Sequence, residues 1–212
     1  MSDLSPEKAL IFRIMHIDNV PWMLEHGLHC QNGKSTDPNY IQIGNPDLID
    51  RRQHRHVPGP CGGTLSDYVP FYFTPFSPML HNITTGWNGI TKRSMSEIVT
   101  IVSALPSLVE QSIPFVFSDR HAYLVSAKFS SDSADLHRLP WDLWAAKDFA
   151  RDASKPAKFE RYNAEALVYQ HVPVSALQGI VCQGPAEEAR LKEMVHNAAV
   201  DLAVHARSGW YV

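Results

Sequence analysis

The 212-residue sequence lacks the signatures by which most nucleotide-using and hydrolytic enzymes are recognised. It contains no GxGxxG and no GxxxxGK[ST], so neither a Rossmann turn nor a P-loop has support. A GxSxG elbow is also missing, which removes the commonest hydrolase arrangement. The 11 histidines are scattered without an HExxH pair, so no metal is expected. Cysteine is scarce: Cys30, Cys61 and Cys182 lie far apart without a CxxC, as expected of reduced thiols in a cytoplasmic protein. No run approaches the ~20 apolar residues of a membrane span. The opening MSDLSPEKALIFRIMHIDN carries acids and a proline where a signal peptide needs a basic start, so no membrane partner is expected. A formal net charge of −3 excludes a global basic field, and any nucleic-acid contact must be local.

What is present is an ordinary soluble composition, 44% hydrophobic and 19% charged, at a length suited to one domain spanning 1–212. LIFRIM reads as a first strand. Asp18 or Asn19 then caps a short helix through VPWMLEHG, with Pro21 in its first turn and Gly27 stopping it. From Leu28 to Gly63 the chain turns irregular, with only DLIDRR resembling a helical turn, and such a stretch in a compact domain is usually functional. VPFYF reads as a strand, followed by a helix capped by Ser77 with Pro78 in first position. EIVTIVSAL and PFVFS read as strands around a short helix at LPSLVEQS, and Ser130 to Arg161 reads as mostly helical. EALVYQHV, LQGIVC, LAVHA and GWYV read as strands, with an amphipathic helix at AEEARLKEMVHNAA. Clustered strands without repeated βα alternation predict an α+β domain on antiparallel or mixed sheets.

Three features carry possible chemistry. Glu165 opens the strand EALVYQ on the same face as Leu167 and Tyr169, an odd place for a carboxylate unless it reaches water or serves a site. DRRQHRHVP, residues 50–58, sets three arginines and two histidines behind one acid. It is either a solvated loop or a binder of pyrophosphate or a nucleic-acid backbone, since guanidinium forks suit phosphate oxygens. WDLWAAKDFARDASKPAKFERY, residues 141–162, interleaves Lys147, Arg151, Lys155, Lys158 and Arg161 with aromatics. Single-strand binding requires such a mixture, and amphipathic packing explains it equally well. Cys61, between Pro60 and Gly62, reads as a small loop residue.

FRIMHIDN, then DRRQHRHVPGPCGGTLSDYVPFYFTPFSPML, PFVFSDRHAY and KFERYNAEALVYQ, in that order and spacing, closely resemble the DarT family of DNA ADP-ribosyltransferase toxins. The resemblance runs from about residue 9 to the terminal SGWYV. It implies an α+β ADP-ribosyltransferase fold, two packed and mainly antiparallel β-sheets with surrounding helices and an NAD cleft. It also implies transfer of ADP-ribose from NAD onto a base of single-stranded DNA, most often thymidine at N3 within a short motif. A related branch is thought to modify guanosine. The implied partners are single-stranded DNA and an antitoxin containing a macrodomain that removes the modification. By position, the family's catalytic glutamate falls on Glu165 and its arginine on Arg52 rather than Arg51, with His121 beside the site. Arg13, Met15, His16, Asn19 and Arg52 match the NAD-lining part. The segment from 126 to 162, where this fold carries its target-recognition loop, makes Lys147, Arg151, Lys158 and Arg161 candidates for DNA contact, with Arg51 and Arg55 from the basic loop. The rivals are a non-catalytic nucleic-acid or nucleotide module on the same fold, and a transferase acting on protein or RNA.

Overall fold

The computed structural model describes residues 4–211, save the side chain of Asn88. The first three residues of the N-terminal stretch and Val212 of GWYV lie outside them. In chain order the strands are β1 (Leu10–His16), β2 (Leu28–His29), β3 (Tyr68–Tyr72), β4 (Ile98–Ala104), β5 (Phe115–Ser118), β6 (Phe129–Ser130), β7 (Glu165–Tyr169), β8 (His171–Val172), β9 (Leu177–Cys182) and β10 (Ala203–Ala206). The helices are α1 (Val20–His26), α2 (Pro46–Arg52), α3 (Pro78–Thr85), α4 (Leu105–Glu110), α5 (Trp141–Ala145), α6 (Ala157–Tyr162) and α7 (Pro185–Asn197).

Eight strands join in the order β10-β9-β4-β1-β3-β7-β5-β6, and β2 with β8 forms a two-stranded sheet. All neighbours are antiparallel except the parallel pair β9 and β10. The large sheet is nearly two. Every residue of β1 from Leu10 to His16 pairs with β4, and every residue of β3 pairs with β7, but β1 and β3 meet only at Phe12 opposite Tyr72. The expected pair of sheets thus takes the form of two halves hinged at one rung. Arg13 spans the gap, donating from Nη1 to the Pro70 carbonyl at 3.0 Å.

Strand alternation sorts the core. Ile11, Met15, Val69, Phe71, Val99, Ile101, Ala166 and Val168 bury one face beneath α1, α4 and α7, together with the fully buried Trp144. The opposite face carries two separate apolar clusters. One, around Phe12, Ile14, Leu80, Ile83 and Ile98, belongs to the β1 half; the other, around Val57, Leu65, Tyr68, Val116 and Leu167, belongs to the β3 half. Between them runs a polar seam, where the aligned rungs place Tyr72 opposite Glu165.

Local expectations hold where turn chemistry is strong. Gly27 at φ 77° stops α1, and Ser77 Oγ accepts from the Met79 N–H ahead of Pro78. Three readings change. EALVYQHV is not one strand, because Gln170 at φ 59° turns the chain so that β8 leaves the large sheet. The stretch from Ser130 to Arg161 is helical only in short pieces, interrupted by β6, by Lys147 at φ 54° and by Pro156. GWYV is not a strand: after Arg207 N–H bonds the Cys182 carbonyl, Ser208–Trp210 forms a 3-10 turn. That turn folds Trp210 against Phe12 at 5.4 Å and lets the Tyr211 hydroxyl donate to the Val181 carbonyl, so burial of two aromatics outweighs strand extension.

Candidate active site

A cleft of about 350 Å³ opens where β1 and β3 part. Arg13 and Met15 line it from one face of the sheet, and Tyr72 and Glu165 from the other. Trp22 and His29 close one end, and the irregular segment supplies Ser35, Thr36, Asp37 and Tyr40 as a further wall.

Glu165 lies at the floor and is only 2% exposed. Both its oxygens are engaged. Oε2 accepts from Arg52 Nη1 at 2.9 Å; Oε1 accepts from the Ala122 N–H at 3.0 Å and stands 3.0 Å from His121 Nδ1. Burial alone would raise its pKa, but the Arg52 charge, the His121 contact and the Ala122 N–H together outweigh it and hold the carboxyl down at about 2. It is therefore a fixed anion, unsuited to accepting a proton at neutral pH. Its backbone is fixed too, since Glu165 N–H donates to Ser118 Oγ, which donates to the Arg120 carbonyl.

Arg52 ends α2, whose start is capped by Asn45 Oδ1 accepting from Leu48 N–H. The helix is short enough that its last residue reaches under the cleft. Its side chain is 12% exposed, and its second terminal nitrogen, Nη2, is buried without a partner among the described residues, a donor placed for an incoming acceptor. Arg51 points to solvent instead. His121 is 29% exposed, so one part of the ring faces the open cleft. Its Nδ1 stands between the Glu165 carboxylate at 3.0 Å and the Tyr123 N–H at 3.4 Å. Tyr72 joins the site without a signal in its own segment. Burial and the neighbouring Glu165 charge push its hydroxyl above the ordinary range, making it a donor rather than a base. Its signal is the rung opposite Glu165, which only the pairing of β3 with β7 reveals.

The other expected residues divide. Asn19 lines the cleft but spends both amide groups on the Ile41 backbone. His16 does not line it. At the end of β1 its Nδ1 accepts from Asp18 N–H and its Nε2 faces Glu97 at 3.4 Å, so its expected contact with NAD lacks geometric support. Arg55, expected on DNA, turns inward and donates from Nη2 to the Leu124 carbonyl at 3.0 Å, clamping the loop that carries His121. Of the recognition segment's cations, Lys147 and Arg151 are exposed and lie over Phe76 and Phe159 at 3.9 and 4.4 Å. Lys158 is neutralised by Asp148 at 2.7 Å, and Arg161 donates to the Arg138 carbonyl. The aromatics mostly pack: Trp144 stacks on Phe73 at 5.3 Å and donates to the Tyr162 carbonyl, and Trp141 meets Trp144 edge-on.

Comparison with known proteins gives this arrangement its class. The family model described as "ssDNA thymidine ADP-ribosyltransferase, DarT" matches residues 12–212. A DNA ADP-ribosyl transferase of Escherichia coli O127:H6 (strain E2348/69 / EPEC) is 49% identical over 210 residues, covering 99% of this chain and 96% of that one. Thermus sp. 2.9 DarT in complex with ADP-ribosylated ssDNA superposes with a TM-score of 0.89 at 30% identity, over 98% of each chain. The same protein in complex with NAD+ gives 0.84 at 30% identity, covering 98% of this chain and 99% of that one. A two-halved sheet parting over a buried, arginine-paired glutamate is thus built on the α+β fold of an ADP-ribosyltransferase. The chain belongs to the DarT family of NAD-dependent DNA ADP-ribosyltransferases, toxins of toxin–antitoxin systems.

Proposed function

We propose that this protein transfers ADP-ribose from NAD onto thymidine N3 in single-stranded DNA, within a short sequence motif, in the cytoplasm, and is countered by an antitoxin containing a macrodomain. The observation that carries the reading is Glu165, ionised and nearly inaccessible at the floor of a cleft that opens at the parting of the sheet. NAD is the co-substrate, and the DNA base is the acceptor.

Breaking the bond between nicotinamide and ribose leaves positive charge on the ribose. A carboxylate already ionised and immobilised stabilises that charge without reorganising, the condition under which electrostatic catalysis is strongest. Glu165 also accepts from the ribose 2′-hydroxyl in this reading. Thymine N3 carries a proton with a pKa of roughly 10, like a phenol. As the N3–ribose bond forms, that proton must leave. Glu165 is too acidic to take it, and Arg52 stays charged. His121, its Nδ1 turned to Glu165, is the acceptor through Nε2, and passes the proton to water. Arg52 offers its unpartnered Nη2 to a base carbonyl and so favours the imide anion. The DNA strand runs over Lys147 and Arg151, the recognition-segment cations that keep exposed charge on an aromatic face. A net charge of −3 limits the phosphate footprint and makes the salt dependence shallow.

The test is incubation with labelled NAD and a set of short oligonucleotides, then mass spectrometry of the product. One ADP-ribose on a thymine within a recurring motif is the expected result. Label on guanine would move the chain to the guanosine-modifying branch, and DNA binding without label would leave a non-catalytic module.

A further inference from the structure

We infer that Asn19 is a positioning residue for NAD, holding residues 31–41 as a wall of the cleft by a two-bond clamp; this rests on reading the cleft as the NAD site. Asn19 occupies the N-cap of α1, where an asparagine ordinarily accepts from an N–H of the first turn. Here it makes no capping bond. Its Nδ2 donates to the Ile41 carbonyl and its Oδ1 accepts from the Ile41 N–H, both at 2.9 Å. The residue is 2% exposed, so both halves of a buried amide are satisfied by one distant backbone unit. A helix cap is forgone for a tether across 22 residues of chain.

The far end of the wall is anchored on the other half of the sheet. Asn32 N–H donates to the Ser66 carbonyl at 3.0 Å and Asn32 Nδ2 to Asp67 Oδ1 at 2.9 Å, just before β3 begins. Between these anchors, among the described residues, the hydrogen bonds of 34–40 are internal: Asn39 and Tyr40 donate to Asp37. The segment is therefore a strap from the β3 half to the β1 half, spanning the gap where strand pairing falls to the Phe12–Tyr72 rung and Arg13 reaches across to Pro70. Ile43, buried just beyond the clamp in the cluster of Phe12, Ile14 and Ile83, holds the chain again before α2 begins. Losing the clamp frees the wall from Asn32 as far as Ile43, so NAD must order it on binding, a cost that falls on affinity rather than on the reacting atoms.

Asn19→Ala and Asn19→Asp in the full chain test this, with NAD and oligonucleotide varied separately and hydrogen exchange measured without NAD. Aspartate keeps the shape but sets a second acceptor against the Ile41 carbonyl, so it should be no better than alanine. The expected result is an NAD KM raised about ten-fold, from the loss of two hydrogen bonds. Oligonucleotide KM and kcat should stay within about twofold of wild type, with faster exchange confined to 31–42. Unchanged exchange, faster exchange with a normal NAD KM, or a joint loss of kcat, both KM values and Tm would each overturn the inference. If the wild-type chain transferred nothing from NAD, the proposed function would fall, and the exchange comparison alone would still decide whether the clamp exists.

Discussion

Two regions read alike as basic recognition elements, and the fold uses them in opposite ways. In residues 50–58 it turns the cations inward: Arg52 pairs with Glu165 under the cleft, and Arg55 clamps the loop carrying His121. In residues 141–162 it is the aromatics that turn inward, Trp144 and Tyr162 into the core, and Lys147 and Arg151 remain outside. Arginine density therefore says little about DNA contact. What decides is whether a partner on another element has already claimed the guanidinium, as Arg51 and Arg52 demonstrate: neighbours in sequence, one in solvent and one ion-paired and nearly buried.

The contrast is broken most severely at the inward region. Glu165→Gln keeps an acceptor for the Ala122 N–H but removes the charge, and should lower transfer about 10³-fold with the fold retained. Glu165→Ala should lose as much activity and also unfold at lower temperature, because Arg52 is left buried without its counter-charge. Arg52→Ala should cost about 10²-fold in transfer, against a change of about threefold or less for Arg51→Ala. A larger loss at Arg51, in the same labelled-NAD assay, would place the pairing on the wrong arginine.

Acid should sharpen the same point through stability. The Glu165 carboxyl sits at about 2 in the folded protein against an ordinary 4.5. The unfolded chain thus takes up this proton first as pH falls below that ordinary value. The stabilisation is present in full above it and is lost as pH drops towards about 2. Denaturant titrations across that window should show a pH slope in the wild type that is reduced in Glu165→Gln.

The smallest effects should separate Arg55 from the outer cations. Arg55→Ala should lower kcat by loosening the His121 loop while leaving the salt dependence of DNA binding unchanged. The double change Lys147→Ala, Arg151→Ala should do the reverse, weakening oligonucleotide binding several-fold and cutting the log–log salt slope by about 2 with kcat kept. Equal slopes in all three proteins would remove the outer cations from the DNA path.

Much of the site is legible in the amino-acid order alone. The strand bearing Glu165 and the polar SDRHA corner can be read from short motifs within one element or turn, and the choice of Arg52 over Arg51, which the family resemblance implies, agrees with the ion pair that Arg52 makes to Glu165. The expectation for His16 lacks support because its ring is engaged by Asp18 N–H and by Glu97, 81 residues away, and nothing in one strand announces so distant a partner. That for Arg55 fails because its acceptors, the Ala122 and Leu124 carbonyls, lie 67 and 69 residues away. Tyr72 is invisible in the sequence for the same reason, since its importance is its place beside Glu165 on the next strand.

By itself, the sequence determined the elements with strong local chemistry: the strand patterns, the Gly27 stop, the Ser77 cap, and the family that its motif order identifies. Only the tertiary structure decided that β1 and β3 part after one rung, that the acid at the floor is charged, and which cations remain free. The physical reason is that propensity and capping act over a few residues, whereas burial, counter-charge and strand pairing are set by groups brought together from distant parts of the chain.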